Sequence, residues 1–303
     1  MWSGQQAGAL RNKITLLPHR SPSVTPRWDL GGLPAILCRL GNLEVRLATS
    51  KKEIRRAQRL RYKVFFEQGS AVPDRTASLI RRDICRFDRV CDHLLVIDHA
   101  ATGTRFGMRK PKIAGTYRLL RQEIAERNFG FYSAQEYDIG PLLARQAGKR
   151  FLELGRSCVL PEYRNKRTVE LLWQGIWAYV RYHGVDVMFG CASLEGTEPA
   201  ELALPLSFLH HHAGAPDGWH ARALDSRYVA MDRLPQEAVD ARKALAALPP
   251  LVKGYLRLGA TFGEGAVVDH QFGTTDVLVI LPVAAIEQRY TTYFGQTAER
   301  RAA

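Results

Sequence analysis

The sequence predicts an α/β (α+β) protein with a central, mixed and twisted sheet that carries helices on both faces. Residues 151–160 are short, apolar and followed by Pro161, which is typical of a buried strand. Residues 168–180 place apolar side chains at helical spacing, and residues 185–191 form a second apolar run. A strand–helix–strand unit beside a predicted hairpin at residues 93–120 indicates parallel and antiparallel strands in one sheet.

A short basic loop joins the central strand to its helix. It carries Arg164, Lys166 and Arg167 just before Thr168, where the helical pattern begins. The first N–H groups of a helix lack internal partners and lie at the positive end of the helix dipole, so anions bind there. The pattern is typical of an anion-binding loop, although a solvated basic turn has the same composition.

Two charged residues interrupt the apolar central strand. Glu153 and Arg156 lie on opposite faces of a regular strand because side chains alternate. Gly155 between them is typical of a β-bulge, which would bring both side chains onto one face. A charged pair in an apolar strand is costly unless it is paired or functional. We therefore interpret it either as part of an active site or as a structural ion pair.

Composition restricts the class of protein. The chain has 303 residues, 46% hydrophobic and 24% charged, which is typical of a globular protein with one large domain and additions. The net charge of +13 predicts an acidic partner: nucleic acid, an anionic lipid surface or an acidic carrier protein. Five cysteines without a CxxC pair, and the lack of an apolar run of transmembrane or signal-peptide type, predict a reduced cytoplasmic protein.

The chain divides into four predicted segments. Residues 1–41 are rich in proline and basic side chains, which predicts a flexible basic arm suited to an anionic surface. Residues 42–197 contain the strand–helix core, and residues 198–250 are interpreted as a helical insertion. Residues 251–303 are expected to complete the sheet with an apolar strand that ends at Pro282.

The core is predicted to begin with a strand and an amphipathic helix. Apolar side chains alternate through residues 42–49 and recur at helical spacing through residues 51–68. Arg61 falls on the apolar stripe of this helix. Its charge either extends to solvent or meets a carboxylate inside the protein.

Residues 70–92 lack periodicity and are predicted to form an irregular loop that carries Asp83 and Asp88. An aspartate in a loop most commonly caps a helix or stabilises a turn. The predicted hairpin follows, with Arg118 near the end of its second strand.

Two further segments have helical character. Residues 121–148 are predicted to form short helices around an aromatic loop, and residues 198–212 a helix that ends in three consecutive histidines. Adjacent residues on a helix point about 100° apart and cannot share one ion easily. No second cluster has the spacing of metal ligands, so we predict no metal site.

These features together resemble the GNAT N-acyltransferase fold, and in particular two related families. One is the lyso-ornithine lipid synthases, which are L-ornithine N(alpha)-acyltransferases, and the other is the acyl-homoserine-lactone synthases. Both show an Arg-x-x-Val-Phe helix, a Phe-Asp segment, an arginine on the hairpin and a Glu-x-x-Arg strand. The matching residues here are Arg61, Val64, Phe65, Phe87, Asp88, Arg118, Glu153 and Arg156.

The similarity to lyso-ornithine lipid synthases covers roughly residues 42–295 and includes the segments SLEGTEPAELALPLSFLHHH and KGYLRLGA, which autoinducer synthases lack. It implies transfer of a (3-hydroxy)acyl group from acyl carrier protein to the α-amine of ornithine, the first step of ornithine lipid synthesis. It implies no bound cofactor, because 4′-phosphopantetheine arrives on the acidic carrier protein.

The basic loop departs from the pattern of ordinary GNAT enzymes. Their Q/R-x-x-G-x-G/A loop uses glycines to wrap the pyrophosphate of coenzyme A, whereas residues 164–169 contain no glycine. The departure disfavours coenzyme A. It favours a phosphopantetheine held by Arg164, Lys166, Arg167 and Thr168.

The resemblance implies three catalytic residues. Glu153 is the expected general base or amine-positioning group, with Arg156 beside it on the same strand. Tyr255, in YLRLGA, resembles the tyrosine that protonates the departing thiolate in GNAT enzymes, although Ala260 stands where the family pattern has an aromatic residue.

The resemblance also implies substrate-binding residues. Arg61 and Arg118 are expected to hold the substrate carboxylate by paired hydrogen bonds. Asp83 or Asp88 is expected either to bind the side-chain amine or to position those arginines, and Phe65 belongs to the same substrate-binding set.

Two rival functions stay open at this point. An autoinducer synthase would join the acyl group to S-adenosylmethionine, and a non-catalytic basic protein would bind nucleic acid or anionic lipid. We predict no nucleic-acid partner because no aromatic-studded basic stripe is present. Peripheral contact with the anionic inner membrane is expected from the basic arm and the lipid product.

Overall fold

The computed structural model describes residues 32–105 and 108–286, with backbone alone for residues 102–110. Eleven strands and eight α-helices form in this part of the chain. The strands are β1 (Cys38–Leu40), β2 (Leu43–Leu47), β3 (Asp92–Arg105), β4 (Met108–Arg121), β5 (Tyr137–Asp138), β6 (Phe151–Val159), β7 (Val187–Glu195), β8 (Arg222–Ala223), β9 (Tyr228–Val229), β10 (Thr261–Asp269) and β11 (Thr274–Pro282). The helices are α1 (Lys51–Tyr62), α2 (Arg75–Ile80), α3 (Gln122–Glu126), α4 (Gly140–Arg145), α5 (Lys166–His183), α6 (Ala203–Ala213), α7 (Ala241–Ala247) and α8 (Pro250–Arg257).

All of these strands join one mixed sheet. Its order is β1-β2-β3-β4-β6-β7-β11-β10-β8-β5, and β9 pairs with β10. Among the described strands, β6 and β7 are parallel, β8 meets β10 in parallel, and the remaining neighbours are antiparallel. The parallel pair β6–β7 is connected through α5, as the strand–helix–strand pattern predicted.

Helices cover both faces of the sheet, which confirms the predicted architecture. Leu94 and Leu95 are consecutive in β3 and therefore point to opposite faces. Leu94 belongs to the main apolar cluster with Leu171 of α5 and Leu206 of α6. Leu95 packs in a second cluster with Ala57 of α1. None of the described helices is both long and apolar enough to cross a bilayer.

Three segments differ from their predicted character. Residues 33–40, assigned to the basic arm, bury Leu33 and Leu37 and form β1 against β2, because this part of the arm is apolar enough to join the main core. Residues 70–92 contain α2 and a short 3-10 turn. The region 198–250 contributes β8 and β9 as well as helices. The remaining arm, residues 1–31, and the tail, residues 287–303, lie outside the described residues.

The central strand β6 contains the predicted bulge, but one residue later than predicted. Arg118 of β4 pairs with Gly155, and Thr116 pairs with Cys158, so β6 holds one extra residue between these pairs. Arg156 has a φ of 51°, whereas Gly155 is not in the left-handed region. The bulge therefore depends on an arginine in a strained backbone conformation.

β6 and β7 pair only at their N-terminal ends. The register covers Phe151–Glu153 with Val187–Phe189 and then stops, although both strands continue for six more residues. At the first unpaired position Gly190 has a φ of 154°, and a Cβ there would lie 2.2 Å from the carbonyl oxygen of Leu154. Only glycine fits this junction, and the two strands diverge beyond it.

Candidate active site

A buried guanidinium stands beside the bulged strand. Arg61 is 0% exposed, so its charge does not extend to solvent. Its Nε donates to Asp83 Oδ2 at 2.7 Å, and its Nη2 donates to Asp88 Oδ2 at 2.8 Å and to the Asp83 carbonyl at 2.7 Å. Arg61 lies on the buried, apolar side of α1, and this position places its guanidinium beside two loop carboxylates. This placement agrees with a positioning role for the aspartates.

Asp88 is held ionised by its neighbours. Its carboxylate also accepts from Gln58 Nε2 at 2.9 Å and from Arg118 Nη1 at 3.5 Å. Burial alone would raise the pKa of Asp88, but the charge and hydrogen bonds of Arg61 hold this pKa well below its usual range. Asp88 therefore stays ionised beside Arg61, and the Asp83 carboxylate is bound to the same guanidinium.

Arg118 and Arg156 share one tyrosine. Each guanidinium carbon lies 5.3 Å from the centroid of the Tyr132 ring, and Arg156 Nη2 donates to the Tyr132 hydroxyl at 3.4 Å. Arg156 Nε also lies 3.7 Å from Asp83 Oδ2. Three guanidinium groups thus meet two aspartates, and the Arg118 and Arg156 Nε atoms are buried without a hydrogen-bond partner in the described structure. Such groups suit a substrate carboxylate.

Glu153 ties the central strand to the loop before β5. Its Oε2 accepts from the Tyr132 N–H at 2.8 Å, and its Oε1 accepts from the N–H and the hydroxyl of Ser133 at 2.6 Å each. The side chain is 4% exposed. Burial raises the pKa of Glu153, and the bonds from Ser133 and Tyr132 oppose this rise. Because Glu153 and Arg156 both contact Tyr132, the bulge brings them to one face, as predicted.

The predicted tyrosine lies on the opposite face of the sheet. Tyr255 of α8 shares a hydrogen bond of 2.9 Å with the hydroxyl of Tyr117, and its ring meets Trp173 edge-on at 5.6 Å. Tyr117 precedes Arg118 in β4, so the two side chains point to opposite faces. Burial raises the pKa of Tyr255 well above its usual range, so the hydroxyl keeps its proton.

The basic loop opens α5 on that same face. Asn165 caps the helix by accepting from the Thr168 N–H at 3.0 Å. Arg164 Nε donates to the Val159 carbonyl at 3.0 Å, and Arg167 Nη2 donates to the Leu40 carbonyl at 3.0 Å. The two arginines are therefore fixed by backbone carbonyls.

Two predicted loop residues contrast in exposure. The Lys166 side chain is 89% exposed and lies 3.7 Å from Glu170. Thr168 is fully buried, and its hydroxyl donates to Asn165 Oδ1 at 3.2 Å. The basic side chains of the loop are exposed, whereas Thr168 is buried and hydrogen-bonds to the residue that caps the helix.

Phe65 lies beside the site in the π-helical turn Lys63–Glu67, which directly follows α1. Its ring meets Phe272 edge-on at 5.7 Å, and the guanidinium of Arg156 lies 4.2 Å from the centroid of that same Phe272 ring. Phe272 belongs to the turn between β10 and β11. This turn of the C-terminal segment therefore packs against the arginine cluster.

A cluster of acids beside this turn was not predicted. Carboxylate oxygens of Glu136, Asp269 and Asp276 lie within 4.8 Å of one another, and such a group can hold a cation. The residues are far apart in sequence, so spacing gave no signal. The only local clue is the charge of Asp276 in the apolar strand β11. The prediction of no metal site stays a prediction.

Known proteins resemble this chain over most of its length. Residues 60–174 match the model of the acetyltransferase (GNAT) domain. The L-ornithine N(alpha)-acyltransferase of Brucella abortus (strain 2308) is 56% identical over 265 residues, which cover 88% of this chain and 93% of that protein. The L-ornithine N(alpha)-acyltransferase of Agrobacterium fabrum (strain C58 / ATCC 33970) is 58% identical over 262 residues, covering 86% of this chain and 88% of that protein.

Among solved structures, an N-acyl amino acid synthase from uncultured soil microbes matches 84% of this chain and 97% of its own, with 12% identity and a TM-score of 0.42. The curated relatives are far more similar and cover most of both chains. They confirm the predicted family and enzyme class. The chain is an N-acyltransferase with a GNAT domain, and it belongs to the L-ornithine N(alpha)-acyltransferase family.

Proposed function

We propose that this enzyme transfers a (3-hydroxy)acyl group from acyl carrier protein to the α-amine of ornithine. The observation that carries the proposal is the divergence of β6 and β7 beyond Glu153, with the basic loop on one face of the sheet and the arginine cluster on the other. The opening lets a thioester and an amine meet from opposite faces. The name of the relatives supports ornithine as the acceptor.

The donor is assigned to the face of α5. The phosphate of 4′-phosphopantetheine would meet Lys166 and the two fixed arginines at the start of α5, where the helix dipole also favours an anion. The net charge of +13 supports an acidic carrier protein as the source. The pantetheine arm would then enter between β6 and β7, whose facing residues are unpaired beyond Glu153 in the described sheet.

The acceptor is assigned to the opposite face. Its α-carboxylate would meet the Nε groups of Arg118 and Arg156, which lack a hydrogen-bond partner, because Nε and Nη2 of Arg61 are held by the two aspartates and only its Nη1 is unbonded. This assignment replaces Arg61 by Arg156 in the predicted carboxylate clamp. Arg61 then acts as a positioning residue for the loop that carries Asp83 and Asp88.

In the reaction the amine nitrogen attacks the thioester carbonyl, a C–N bond forms and the C–S bond breaks. Glu153 is proposed as the base or amine-positioning group, because a carboxylate offers about four acceptor sites and three are used here. Backbone N–H groups of the open edge of β6 would stabilise the oxyanion. The amine would lose its proton to Glu153, and the departing thiolate would take a proton from Tyr255. Proton exchange with solvent then restores both groups.

A direct assay tests the proposal. Purified enzyme is supplied with 3-hydroxyacyl-carrier protein and labelled ornithine, and in parallel with the matching coenzyme A thioester or with S-adenosylmethionine as acceptor. We expect a labelled amide and free carrier thiol with ornithine only, and a clear preference for the carrier over coenzyme A. Amide formed equally well from coenzyme A would overturn the donor. Acylation of S-adenosylmethionine in place of ornithine would overturn the acceptor.

We also propose that the enzyme meets an anionic bilayer through α2. Four of the seven exposed large apolar side chains of the described residues are Val72, Leu79, Ile84 and Phe129. The first three lie on or beside α2, and the Phe129 ring contacts Phe87 of the same segment at 5.8 Å. Exposed arginines surround them at positions 75, 81, 86 and 89. Apolar and basic side chains mixed in this way are typical of an interfacial membrane surface.

Vesicle flotation tests this contact. A Leu79→Ser variant should bind phosphatidylglycerol vesicles less well than the wild type, because Leu79 is 85% exposed and would insert its side chain. Leu245→Ser, on α7, removes another exposed leucine and should leave vesicle binding unchanged. If Leu79→Ser weakens binding to carrier protein but not to vesicles, α2 is a carrier-docking surface and the membrane assignment is wrong.

A further inference from the structure

The acid cluster of Glu136, Asp269 and Asp276 holds more negative charge than its neighbouring cations neutralise. Glu136 is 3% exposed and Asp276 is 8% exposed, and Glu136 Oε2 has no hydrogen-bond partner in the described structure. The nearest cation to Glu136 is Arg227, whose Nη1 lies 3.7 Å from Oε1. Buried carboxylates without full pairing are costly, so an additional cation would stabilise this site.

The existing hydrogen bonds use only part of the acceptor capacity of the three carboxylates. Asp276 Oδ1 accepts from the Thr274 hydroxyl at 2.9 Å, and Asp269 Oδ1 accepts from the N–H of Phe272 at 3.0 Å. These bonds fix two carboxylates in place, while Glu136 Oε2 is left over. The group is therefore preorganised for a ligand that donates hydrogen bonds and carries positive charge.

The cluster adjoins the proposed acceptor site. Glu136 follows Tyr132 and Ser133 in the loop that Glu153 holds, and the Cys191 thiol of β7 lies 3.6 Å from the Ser133 hydroxyl. Phe272, whose amide binds Asp269, lies under the guanidinium of Arg156. The Tyr132 ring lies 5.3 Å from the guanidinium carbon of Arg156, and Glu136 lies four residues further along the same chain segment.

We propose that Glu136 and Asp276, supported by Asp269, bind the side-chain ammonium of the acceptor amino acid. The inference rests on the proposed function and deepens it, because it names the residues that select a diamino acid. The α-carboxylate meets Arg118 and Arg156 at one end, the methylene chain passes Tyr132 and Phe272, and the ammonium ends among the acids. Opposite charges at the two ends orient the substrate with its α-amine toward the diverging strands.

An organic ammonium suits the site better than a metal ion. A hard divalent cation prefers six or more oxygen ligands, whereas two of these carboxylates already use an oxygen on protein donors. An ammonium needs only about three acceptors, and Glu136, Asp269 and Asp276 supply one each.

The test compares ornithine with norvaline, which has the same chain but no δ-amine. Wild-type enzyme should prefer ornithine in kcat/KM by roughly 100-fold, since a site with buried carboxylates rejects an analogue that cannot pair them. Glu136→Gln and Asp276→Asn should each lower kcat/KM for ornithine roughly 10- to 100-fold, chiefly through KM, and change the value for norvaline by less than about threefold. Asp138→Asn, an exposed change two residues away in strand β5, should alter neither value.

Each result decides the assignment. Equal losses with both amino acids would show that the acids act as a base or only support the fold, and an unchanged preference would place the ammonium elsewhere. Loss of ornithine activity on chelation with EDTA, restored by Mg²⁺, would make the cluster a metal site. If the wild type acylates neither amino acid, the proposed function itself fails before any variant is needed, and the inference fails with it.

Discussion

Glu153 couples the chemistry of the site to the order of its loop. One carboxylate accepts two consecutive backbone N–H groups and a hydroxyl, so the same residue that is proposed to take a proton also fixes Tyr132 and Ser133. The two proposed roles of Glu153, as a base and as an anchor of the loop, depend on different properties of the side chain. A base needs a group that accepts a proton, whereas an anchor needs two acceptor oxygens.

Glu153→Gln separates these demands. The glutamine amide has one acceptor oxygen, and its NH₂ group would face an N–H donor of the loop. We expect the free energy of unfolding to fall by about 1–3 kcal/mol, measured by urea denaturation. If Glu153 is the base, kcat also falls roughly 100-fold and the acidic limb of the pH–rate profile disappears.

The exposed Glu237→Gln is the control, and it should change neither quantity. An unchanged unfolding free energy in Glu153→Gln would contradict the anchoring role. A normal acidic limb with reduced stability would remove Glu153 as the base and leave it as the anchor.

Glu136 is predicted to oppose stability in the enzyme without substrate. Burial, reinforced by the charge of Asp276, raises the pKa of Glu136 to about 7 from an ordinary 4.5. The folded protein therefore holds this proton more tightly than the unfolded chain, and stability is lost as the pH rises from about 4.5 to 7. The loss is on the order of 3 kcal/mol above this range.

Glu136→Gln removes the ionisation and should raise Tm at pH 8 relative to the wild type, with little difference at pH 4.5. The measurement is thermal unfolding at both pH values. Saturating ornithine should stabilise the wild type more than the variant at pH 8, because the ammonium pairs the ionised carboxylate. A Tm difference that is the same at both pH values would rule out this account of the pKa.

At the residue scale, five of the candidate site residues lie together in the structure. Arg61, Asp83, Asp88, Arg118 and Arg156 meet within one network of hydrogen bonds and ion pairs. Their partners could not be predicted, because a motif marks positions but does not say which guanidinium each carboxylate reaches. The acid cluster was missed for a related reason. The pairing of β10 with β11 brings Asp269 near Asp276, and Glu136 joins them through the pairing of β5 with β8 and of β8 with β10.

At the element scale, the bulge in β6 gives the strand two properties at once. It places Arg156 beside Tyr132 on the face of Glu153, and it puts Arg156 at a φ of 51°. A residue other than glycine costs roughly 1–2 kcal/mol in this left-handed region. The strained backbone at Arg156 therefore lowers the stability of the fold, and in this conformation the arginine side chain lies in the site.

Arg156→Gly and Arg156→Ala separate the backbone from the side chain. Both lose the guanidinium, so both should raise KM for ornithine strongly, by roughly 10- to 100-fold. Only alanine retains the strained Cβ, so its free energy of unfolding should be lower than that of the glycine variant by about 1 kcal/mol. Urea denaturation of the pair measures the difference, and equal stabilities would show that the backbone relaxes out of the bulge when the arginine is lost.

Periodicity predicted elements better than it predicted their junctions. The amphipathic stripe of α1 and the apolar runs of β6, α5 and β7 gave the right element types because each is long enough to show its period. The bulge fell at Arg156 and not at Gly155, because the left-handed residue is selected by pairing with β4. The short strands β8 and β9 have two residues each, which is too few for any pattern.

At the scale of the whole molecule, the charges inside the site and the net charge of the chain differ in balance. The formal net charge is +13, yet the described interior of the site contains nearly balanced arginines and acids. The excess positive charge is therefore available to an acidic partner at the surface. Charges near the start of α5 add to this field where the donor is proposed to dock.

The dependence of activity on salt follows from this distribution. Surface attraction between the enzyme and acyl carrier protein is screened beyond a Debye length of about 8 Å at physiological ionic strength. We expect KM for the carrier substrate to rise severalfold between low and high salt, with kcat nearly constant, whereas KM for ornithine changes little because its charged partners are buried. Steady-state kinetics over a series of NaCl concentrations measures both.

Lys166→Glu localises the effect to the basic loop. Lys166 is the first residue of α5, and its side chain is 89% exposed. A glutamate at this position is favoured by the helix dipole and disfavoured by the charge of Glu170. The free energy of unfolding should therefore change by less than about 1 kcal/mol. KM for the carrier substrate should still rise and lose part of its salt dependence. Arg242→Glu, an equal charge reversal on α7, should have no such effect. If both reversals raise KM equally, the carrier responds to net charge alone, and the start of α5 is not its docking site.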